Sequence, residues 1–423
     1  MISATLSAQH QRRRSLVAGT VGNLVEWFDW SVYGFFVPFF AAAFFPDADP
    51  LASTLSALGV FAVGFFFRPL GGAILGSYAD RHGRRAGMTL TILMMAGASA
   101  AIAVLPTYGQ VGVLAPILLV VARCVQGFSA GGEFGTSAAF LVENAPPGRR
   151  AWAGSWQQVS VGAGTLMASA LAAVMFSFLS DAFVGTWGWR IAFGIGAVLG
   201  LIGLWMRMAI PDTQAFVTVR DQGRIERQPL RAVVRDHPRA MLRVIALICA
   251  GTALGQFWLV ALPTILRTKT GIELRDAQLA AMVGLVLFTV LLPFAGALSD
   301  RLGRRPVLLI FALGSALTFA PLLNSVGTTL SSALIAAAAS AVLLAGYGGS
   351  LAAVMAEQFP PEVRAAGISL PYGIAIALFG GMAPVLATAT IRADAFWVFQ
   401  AAITALCLVS AVAYWRMPET ARR

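Results

Sequence analysis

Gly76-Ser-Tyr-Ala-Asp80-Arg81-His-Gly83-Arg84-Arg85 and Gly296-Ala-Leu-Ser-Asp300-Arg301-Leu-Gly303-Arg304-Arg305 are one pattern written twice, 220 residues apart. A second pair recurs at an offset of 214: Glu143-Asn-Ala-Pro146-Pro147-Gly-Arg-Arg150 and Glu357-Gln-Phe-Pro360-Pro361-Glu-Val-Arg364. Two motifs at nearly one offset imply that the chain is a tandem repeat of one unit. The charged motifs interrupt long apolar runs, so the unit is a set of hydrophobic helices joined by short polar turns.

The rest of the composition agrees. Of 423 residues, 58% are hydrophobic and 12% are charged. Soluble domains carry roughly twice that charged share, which argues against a water-soluble protein. A bilayer-spanning helix needs about 20 apolar residues, and the chain supplies twelve such runs. They lie near 16–45, 52–76, 86–105, 112–142, 152–178, 189–209, 241–266, 277–298, 306–325, 330–356, 366–389 and 396–416. None alternates polar and apolar residues as a barrel strand would. The expected fold is an all-α integral membrane protein of twelve transmembrane helices in two pseudo-symmetric six-helix bundles. Residues 1–209 form the first bundle, 210–240 a linker and 241–423 the second. Arg12, Arg13 and Arg14 precede the first run like the basic flank of a signal peptide. That run is too long for one and carries Glu26 and Asp29, so no cleavage is expected.

The net charge of +11 suggests an anionic partner until the basic residues are sorted. Counting those near the end of a run with the adjoining turn or terminus, twenty-three of the thirty fall at the termini or at the turns after even-numbered runs, five at the opposite turns, and two, Arg68 and Arg123, well inside runs. By the positive-inside rule this places both termini and the middle linker in the cytoplasm. The charge then reads as a topology signal, and nucleic acid is not an expected partner. In the linker, Arg224, Arg227, Arg231 and Arg235 recur at helical spacing, which suits either an amphipathic helix on anionic lipid or a solvated connector. Cys124, Cys249 and Cys407 lie far apart with no CxxC, and the three histidines each lie within two residues of an arginine. No disulfide framework, metal site or cofactor is expected. There is also no phosphate loop or Ser-His-Asp set, so enzyme activity is not expected.

Ionisable side chains inside a span are costly and mark functional sites by default. Away from the run ends there are five, all in the first half: Glu26, Asp29, Arg68, Arg123 and Glu133. At helical periodicity Asn23, Glu26, Trp30 and Tyr33 fall within about 80° of one another, with Asp29 near the edge of that stripe. Arg123, Gln126 and Glu133 form a second stripe, beside Gly127, Gly131 and Gly132, which admit a close helix neighbour. Glu26, Asp29 and Glu133 are the candidate proton carriers, because burial moves a carboxyl group toward neutral pH. Arg123, then Arg68, is the candidate ligand for a substrate carboxylate, since a guanidinium fork can bind both oxygens. Fixed structural ion pairs are the competing reading of the same residues. In the second half no charge sits in mid-span. Gln256, Trp258, Asn324, Tyr347 and Tyr372 are its polar or amphipathic candidates, and Tyr347 gains room from Gly346, Gly348 and Gly349. Of these, Tyr347 and Gln256 join Tyr33 and Gln126 as candidate substrate contacts.

The repeated Gly-x-x-x-Asp-Arg-x-Gly-Arg-Arg motif resembles the signature of the major facilitator superfamily. Five further stretches resemble its metabolite:H+ symporter branch. They are Gly22-Asn23…Glu26-Trp27-Phe28-Asp29, Arg68-Pro69-Leu70-Gly71-Gly72, Arg123-Cys-Val-Gln126-Gly127, Gly188-Trp189-Arg190 and the tail Pro418-Glu419-Thr420. The resemblance spans essentially the whole chain and is densest over 19–193. It implies alternating-access import of a small metabolite with protons, and the two span arginines lean toward an organic acid, a mono- or dicarboxylate, as the cargo. A zwitterion such as betaine or proline is the alternative cargo, and proton-driven efflux a more distant one. Gly162 and Gly164 without a following proline count against efflux. It also implies a gate role for Asp80, Arg81, Arg84, Arg85, Asp300, Arg301, Arg304 and Arg305. We place Glu143, Arg150, Glu357 and Arg364 of the second repeated turn with them. A monomer in the inner (plasma) membrane, in contact with lipid, is expected.

Overall fold

The computed structural model describes residues 2–46 and 50–421. The arginines at 422 and 423, part of the C-terminal basic cluster, lie outside the described residues, as do the side chains of Arg12, Arg13 and Arg14. Twelve long helices follow one another: α1 (Ile2–Phe44), α2 (Pro50–His82), α3 (Arg84–Val104), α4 (Leu114–Glu143), α5 (Arg150–Phe178) and α6 (Asp181–Met208), then α7 (Pro238–Thr270), α8 (Leu274–Leu302), α9 (Arg304–Ser325), α10 (Leu330–Ala356), α11 (Pro361–Arg392) and α12 (Phe396–Arg416). No strand occurs among the described residues. Ten of the helices, α3 to α12, are long and apolar enough to cross a bilayer by length and composition, among the described residues.

Two of the expected spans, 330–356 and 396–416, coincide with α10 and α12. Most of the others grow at their ends because polar residues continue a helix that no glycine or proline stops. The first grows most: α1 starts at Ile2, not near 16, since Gly19 is its earliest helix-weakening residue. The repeated motif is not a loop. Asp80, Arg81 and His82 form the last turn of α2, and a single residue, Gly83, separates them from Arg84 at the start of α3. Gly83 and Gly303 both adopt φ 110, a backbone geometry that only glycine enters without strain. This explains why the motif keeps a glycine there in both copies.

The linker is not one amphipathic helix. It holds two short helices, Gln214–Asp221 and Pro229–Asp236. Gly223 (φ 67) and Pro229 interrupt the periodicity between them, so Arg224 and Arg227 stand outside both.

The chain packs as two compact units. One comprises Met1–Phe140, Ser160–Leu230 and Pro361–Leu370; the other comprises Leu141–Val159, Arg231–Pro360 and Pro371–Arg423. Each therefore includes the opening turns of one helix from the other half of the sequence. In the first unit, α1 packs on α2 and α6, and α3 on α6. Its aromatic core joins Tyr33, Phe36, Phe40 and Phe44 of α1 to Trp189 and Phe193 of α6. In the second, α8 packs on α10, α9 on α10 and α12, and α7 on α12. There Phe257 and Trp258 of α7 meet Phe319 and Phe399. Residues 256–261 and 376–380 widen into π-helical turns, a local feature often found near functional positions.

Candidate functional site

All five anticipated span charges are buried in the first unit, and a sixth joins them. Arg207 lies near the end of its apolar run, where the charge distribution groups it with the turn that follows. It is fully buried on α6 and pairs with Glu133 of α4 through both terminal nitrogens.

The other four charges collect around one indole. Arg68 donates to Glu26 Oε1 at 3.2 Å, and its guanidinium carbon lies 4.6 Å from the centre of the Trp30 ring. Arg123 approaches the same ring at 4.1 Å and that of Tyr33 at 4.3 Å. Trp30 is thus shared by two guanidinium groups, each within cation–π range. Arg123 Nη1 donates to Gln126 Oε1 at 2.6 Å, Gln126 donates to the Ser99 hydroxyl at 2.9 Å, and Ser99 donates to Asp29. A continuous relay therefore runs from the first-choice arginine to one candidate carboxylate, through a serine that the sequence reading did not single out.

The stripe drawn on α1 splits in three dimensions. Glu26 faces α2, Asp29 faces Ser99 of α3, Asn23 donates to Ser137 of α4 at 2.7 Å, and the Tyr33 hydroxyl donates to the Ala57 carbonyl at 2.8 Å. Arg68 Nε and Glu26 Oε2 are among the buried polar atoms with no hydrogen-bond partner among the described residues, as is Asp29 Oδ1. Buried polar atoms are rarely left so. The first two sit on the partners of a single ion pair.

Small residues hold this arrangement together. A Cβ built on Gly71 would collide with the backbone of Phe128, one on Gly127 with that of Gly64, and one on Gly131 with that of Arg68. Helices α2 and α4, which carry Arg68 and Arg123, consequently meet backbone to backbone.

The second unit keeps its candidates apart. Tyr347 is buried, with its hydroxyl 3.4 Å from both Thr252 Oγ1 and the Ile248 carbonyl, and its ring packs on Phe311. Gln256 is half-buried at the start of the widened turn of α7. Trp258 and Tyr372 are buried. Asn324 does not line an interior surface. It is exposed at the end of α9, where it accepts from Lys269 at 2.8 Å and from Gln400 at 3.0 Å.

The repeated motifs make a pair of matched caps. Asp80 accepts the backbone N–H groups of Ala365 and Ala366 at 3.0 and 2.9 Å, near the start of α11. Asp300 accepts those of Ala151 and Trp152 at 3.0 and 2.8 Å, at the start of α5. A carboxylate stabilises the positive end of a helix dipole in this way. Each aspartate is held by the arginine four residues on: Arg84 reaches Asp80 at 2.5 Å and the Pro361 carbonyl at 2.6 Å, and Arg304 reaches Asp300 at 2.7 Å and Glu357 at 3.1 Å. Arg150 lies 3.9 Å from Glu357. Arg81 and Arg301 are exposed, while Glu143 and Arg364 are half-buried.

Two acids complete these caps that the sequence reading did not place in them. Asp212 accepts the N–H of Arg84 at 3.0 Å, and Glu419 accepts those of Arg304 and Arg305 at 2.9 and 3.0 Å. The signal in the sequence is a third repeat, Pro211-Asp212-Thr213 and Pro418-Glu419-Thr420, of which the family resemblance rests on the second copy alone. Burial pushes Glu419 upward, but N–H donors from Arg304, Ala421, Arg305 and Thr420 outweigh it and hold the carboxyl below its usual range. At Asp212 burial prevails over similar donors and raises the carboxyl above its usual range.

Twelve helices, tandem halves and buried charges in the spans define a secondary transporter. The family model for "Sugar (and other) transporter" matches residues 15–232, and that for the Major Facilitator Superfamily matches 244–423. The chain belongs to the major facilitator superfamily, within its metabolite:H+ symporter branch. It is 37% identical to the alpha-ketoglutarate permease of Escherichia coli K12 over 90% of this chain and 88% of that protein. Identity is 32% to the citrate-proton symporter of Klebsiella pneumoniae (92% and 88% covered) and 30% to the proline/betaine transporter of E. coli K12 (97% and 84%). In fold it is similar to the proton:xylose symporter XylE, with a TM-score of 0.82 at 18% identity over 97% of both chains.

Proposed function

We propose that this protein imports a small organic acid, a mono- or dicarboxylate, together with protons. The observation that carries this reading is the buried cluster of Arg68, Arg123, Glu26 and Asp29 around Trp30. With both carboxylates ionised the four side chains sum to zero, and the arginines are neutralised from within. Protonation of both would leave two positive forks in a low-dielectric site, where an anionic substrate becomes the favoured counter-charge. Proton and substrate then load the same state, which is the condition for coupling. Glu26 is the leading proton site because its carboxylate is already on Arg68, and Asp29 is the second, through Ser99 and Gln126. Gln126, Tyr33, Tyr347 and Gln256 are the remaining proposed substrate contacts.

The aromatic faces bear on the alternative cargo. Trp27, Trp30, Phe65 and Tyr33 could cage a quaternary ammonium group such as that of betaine, but Arg68 and Arg123 already cover them. An anion needs no aromatic face vacated, which favours the organic acid. Both termini are placed in the cytoplasm on the distribution of arginines, with the halves 1–209 and 241–423 joined by 210–240. The Asp80 and Asp300 caps, with Arg81, Arg84, Arg85, Arg301, Arg304, Arg305, Glu143, Arg150, Glu357 and Arg364 around them, serve as cytoplasmic latches.

Proteoliposomes test the reading. With an inward proton gradient, labelled alpha-ketoglutarate, citrate and betaine are offered separately. Accumulation of an acid that an uncoupler abolishes is the expected result. Accumulation of betaine alone selects the alternative, and acid accumulation indifferent to the uncoupler rules out symport.

A further inference from the structure

The internal repeat supplies a control for every residue in it. The offset that carries Asp80 to Asp300 carries Thr91 to Phe311. The offset that carries Glu143 to Glu357 carries Glu133 to Tyr347. The tail repeat that carries Asp212 to Glu419 carries Arg207 to Tyr414.

Contacts within each unit confirm that these are equivalent places. Arg207 donates to the Ala18 carbonyl of α1, and Tyr414 donates to the Leu247 carbonyl of α7. Four residues after Ala18, Gly22 lies against Arg207 and Glu133; four after Leu247, Gly251 lies against the ring of Tyr347. Thr91 donates to Glu133, and its counterpart Phe311 packs on Tyr347 at 5.1 Å between ring centres. One half thus fills the node with a fully buried ion pair and a hydroxyl, the other with two tyrosines and a phenylalanine. The fold closes this node without charge, so the charge on Glu133 and Arg207 is not there for packing.

Its position suggests what it is there for. Ala18 is eight residues from Glu26, about 12 Å along a helix. Met88, whose carbonyl also accepts from Arg207, is one turn from Arg84 at the start of α3. The pair therefore lies between Glu26 and the membrane face that carries the repeated motif. Gly22, one turn from Glu26, has no side chain to separate them. The charged groups acting on Glu26 are Arg68 from α2, Glu133 from α4, Arg207 from α6 and Asp29 on its own helix.

We propose that Glu133 and Arg207 form the proton-exit station of the transport cycle, taking the proton from Glu26 and passing it to the face bearing Arg84 and Arg85. The O–H bond on Glu26 breaks and one forms on Glu133, so charge moves from one carboxylate to the other and nothing else changes. While Glu133 is neutral, the carbonyls of Ala18 and Met88 hold the guanidinium, and the Thr91 hydroxyl holds the acid. Glu133 then gives the proton to water on the motif-bearing side, and its ion pair with Arg207 re-forms. Arg207 is a positioning residue: its ion pair with Glu133 re-forms once the proton has left and resets the station, while the proton gradient sets the direction of flow.

This inference rests on the proposed proton symport, and the repeat suggests its test. The double variant Glu133→Gln/Arg207→Met removes both charges, as the second half does naturally, so the node has no stranded ion. It is compared with wild type in proteoliposomes, using labelled alpha-ketoglutarate or, if that is not carried, the acid selected by the uptake panel. We expect a melting temperature near wild type, counterflow exchange within about threefold, and loss of accumulation driven by a proton gradient. Gradient-driven accumulation equal to wild type overturns the proposal, as does a folded variant that loses counterflow too. If the double variant does not fold, Glu133→Asp decides. A carboxylate on a shorter stem should slow gradient-driven uptake at least about tenfold with counterflow unchanged, and an unchanged driven rate overturns the proposal. Failure of wild type itself to couple protons would instead sink the symport reading, so the two failures are distinct.

Discussion

Arg123→Lys tests the substrate role most directly, because charge is kept and only the fork is lost. In the structure one terminal nitrogen of Arg123 is engaged by Gln126 at 2.6 Å, and the guanidinium plane lies over Trp30 and Tyr33. A lysine ammonium can keep the Gln126 bond and part of the cation–π attraction, so the fold should tolerate the change. It cannot offer two parallel donors to a carboxylate. Losing one charge-assisted hydrogen bond is worth about 1.5–3 kcal/mol. At about 1.4 kcal/mol per decade, that raises Kd by roughly ten- to 150-fold. The assay is isothermal titration of the purified protein with the acid identified by uptake, at fixed pH. Arg190→Lys serves as the control, since Arg190 donates to the Ala103 carbonyl and stacks on Trp189, away from the cluster. A Kd within about twofold of wild type in Arg123→Lys would refute the reasoning and leave Arg123 as scaffold.

Glu26→Gln should keep counterflow and lose uphill uptake, since a neutral amide mimics the protonated acid but cannot release a proton; full accumulation in this variant clears Glu26 of coupling. Asp300→Asn removes the charge facing the first N–H groups of α5 and should cost about 0.5–2 kcal/mol, read as a lower melting temperature, with no shift if the cap is incidental. Glu419 has a carboxyl group held below its usual range, so it stabilises the folded chain above the unfolded-state pKa and loses that contribution as pH falls through the folded one. Glu419→Gln should therefore lower the melting temperature at pH 7, and the gap to wild type should close on acidification below about pH 4; an equal gap at both pH values contradicts the assignment. Gly71→Ala forces a methyl into the backbone of Phe128 and should cost about 1–3 kcal/mol, whereas Gly97→Ala, with open space around it, should cost nothing measurable.

How far the sequence could be read depended on whether the relevant pattern was local. Helix positions were legible because twelve apolar runs alternate with short polar breaks, and two tandem motifs announced the halves. Helix ends were less so: Asp80, Arg81 and His82 look like loop residues by charge, yet only Gly83 has a conformation that breaks the helix. The site was half legible. Glu26, Asp29, Arg68 and Arg123 stand out as charges in apolar runs, but Ser99 and Thr91 do not, because a hydroxyl in a span is unremarkable until a carboxylate meets it. Arg207 was hidden by its place near a helix end, where an arginine ordinarily marks topology. Only its partner on α4, 74 residues away, distinguishes it from Arg220 or Arg235. Asp212 was visible in principle, but a three-residue repeat is too short to notice without the contact that gives it meaning.

The glycine seam between α2 and α4 has a consequence for selectivity. Where Gly64, Gly71, Gly127 and Gly131 bring two backbones into contact, neither helix can slide past the other without collision. Arg68 and Arg123 are mounted on those two helices, so the seam sets the spacing between them like the jaws of a caliper. If Arg68 and Arg123 hold the cargo as proposed, a substrate with two acidic ends would be measured by the distance between its charges.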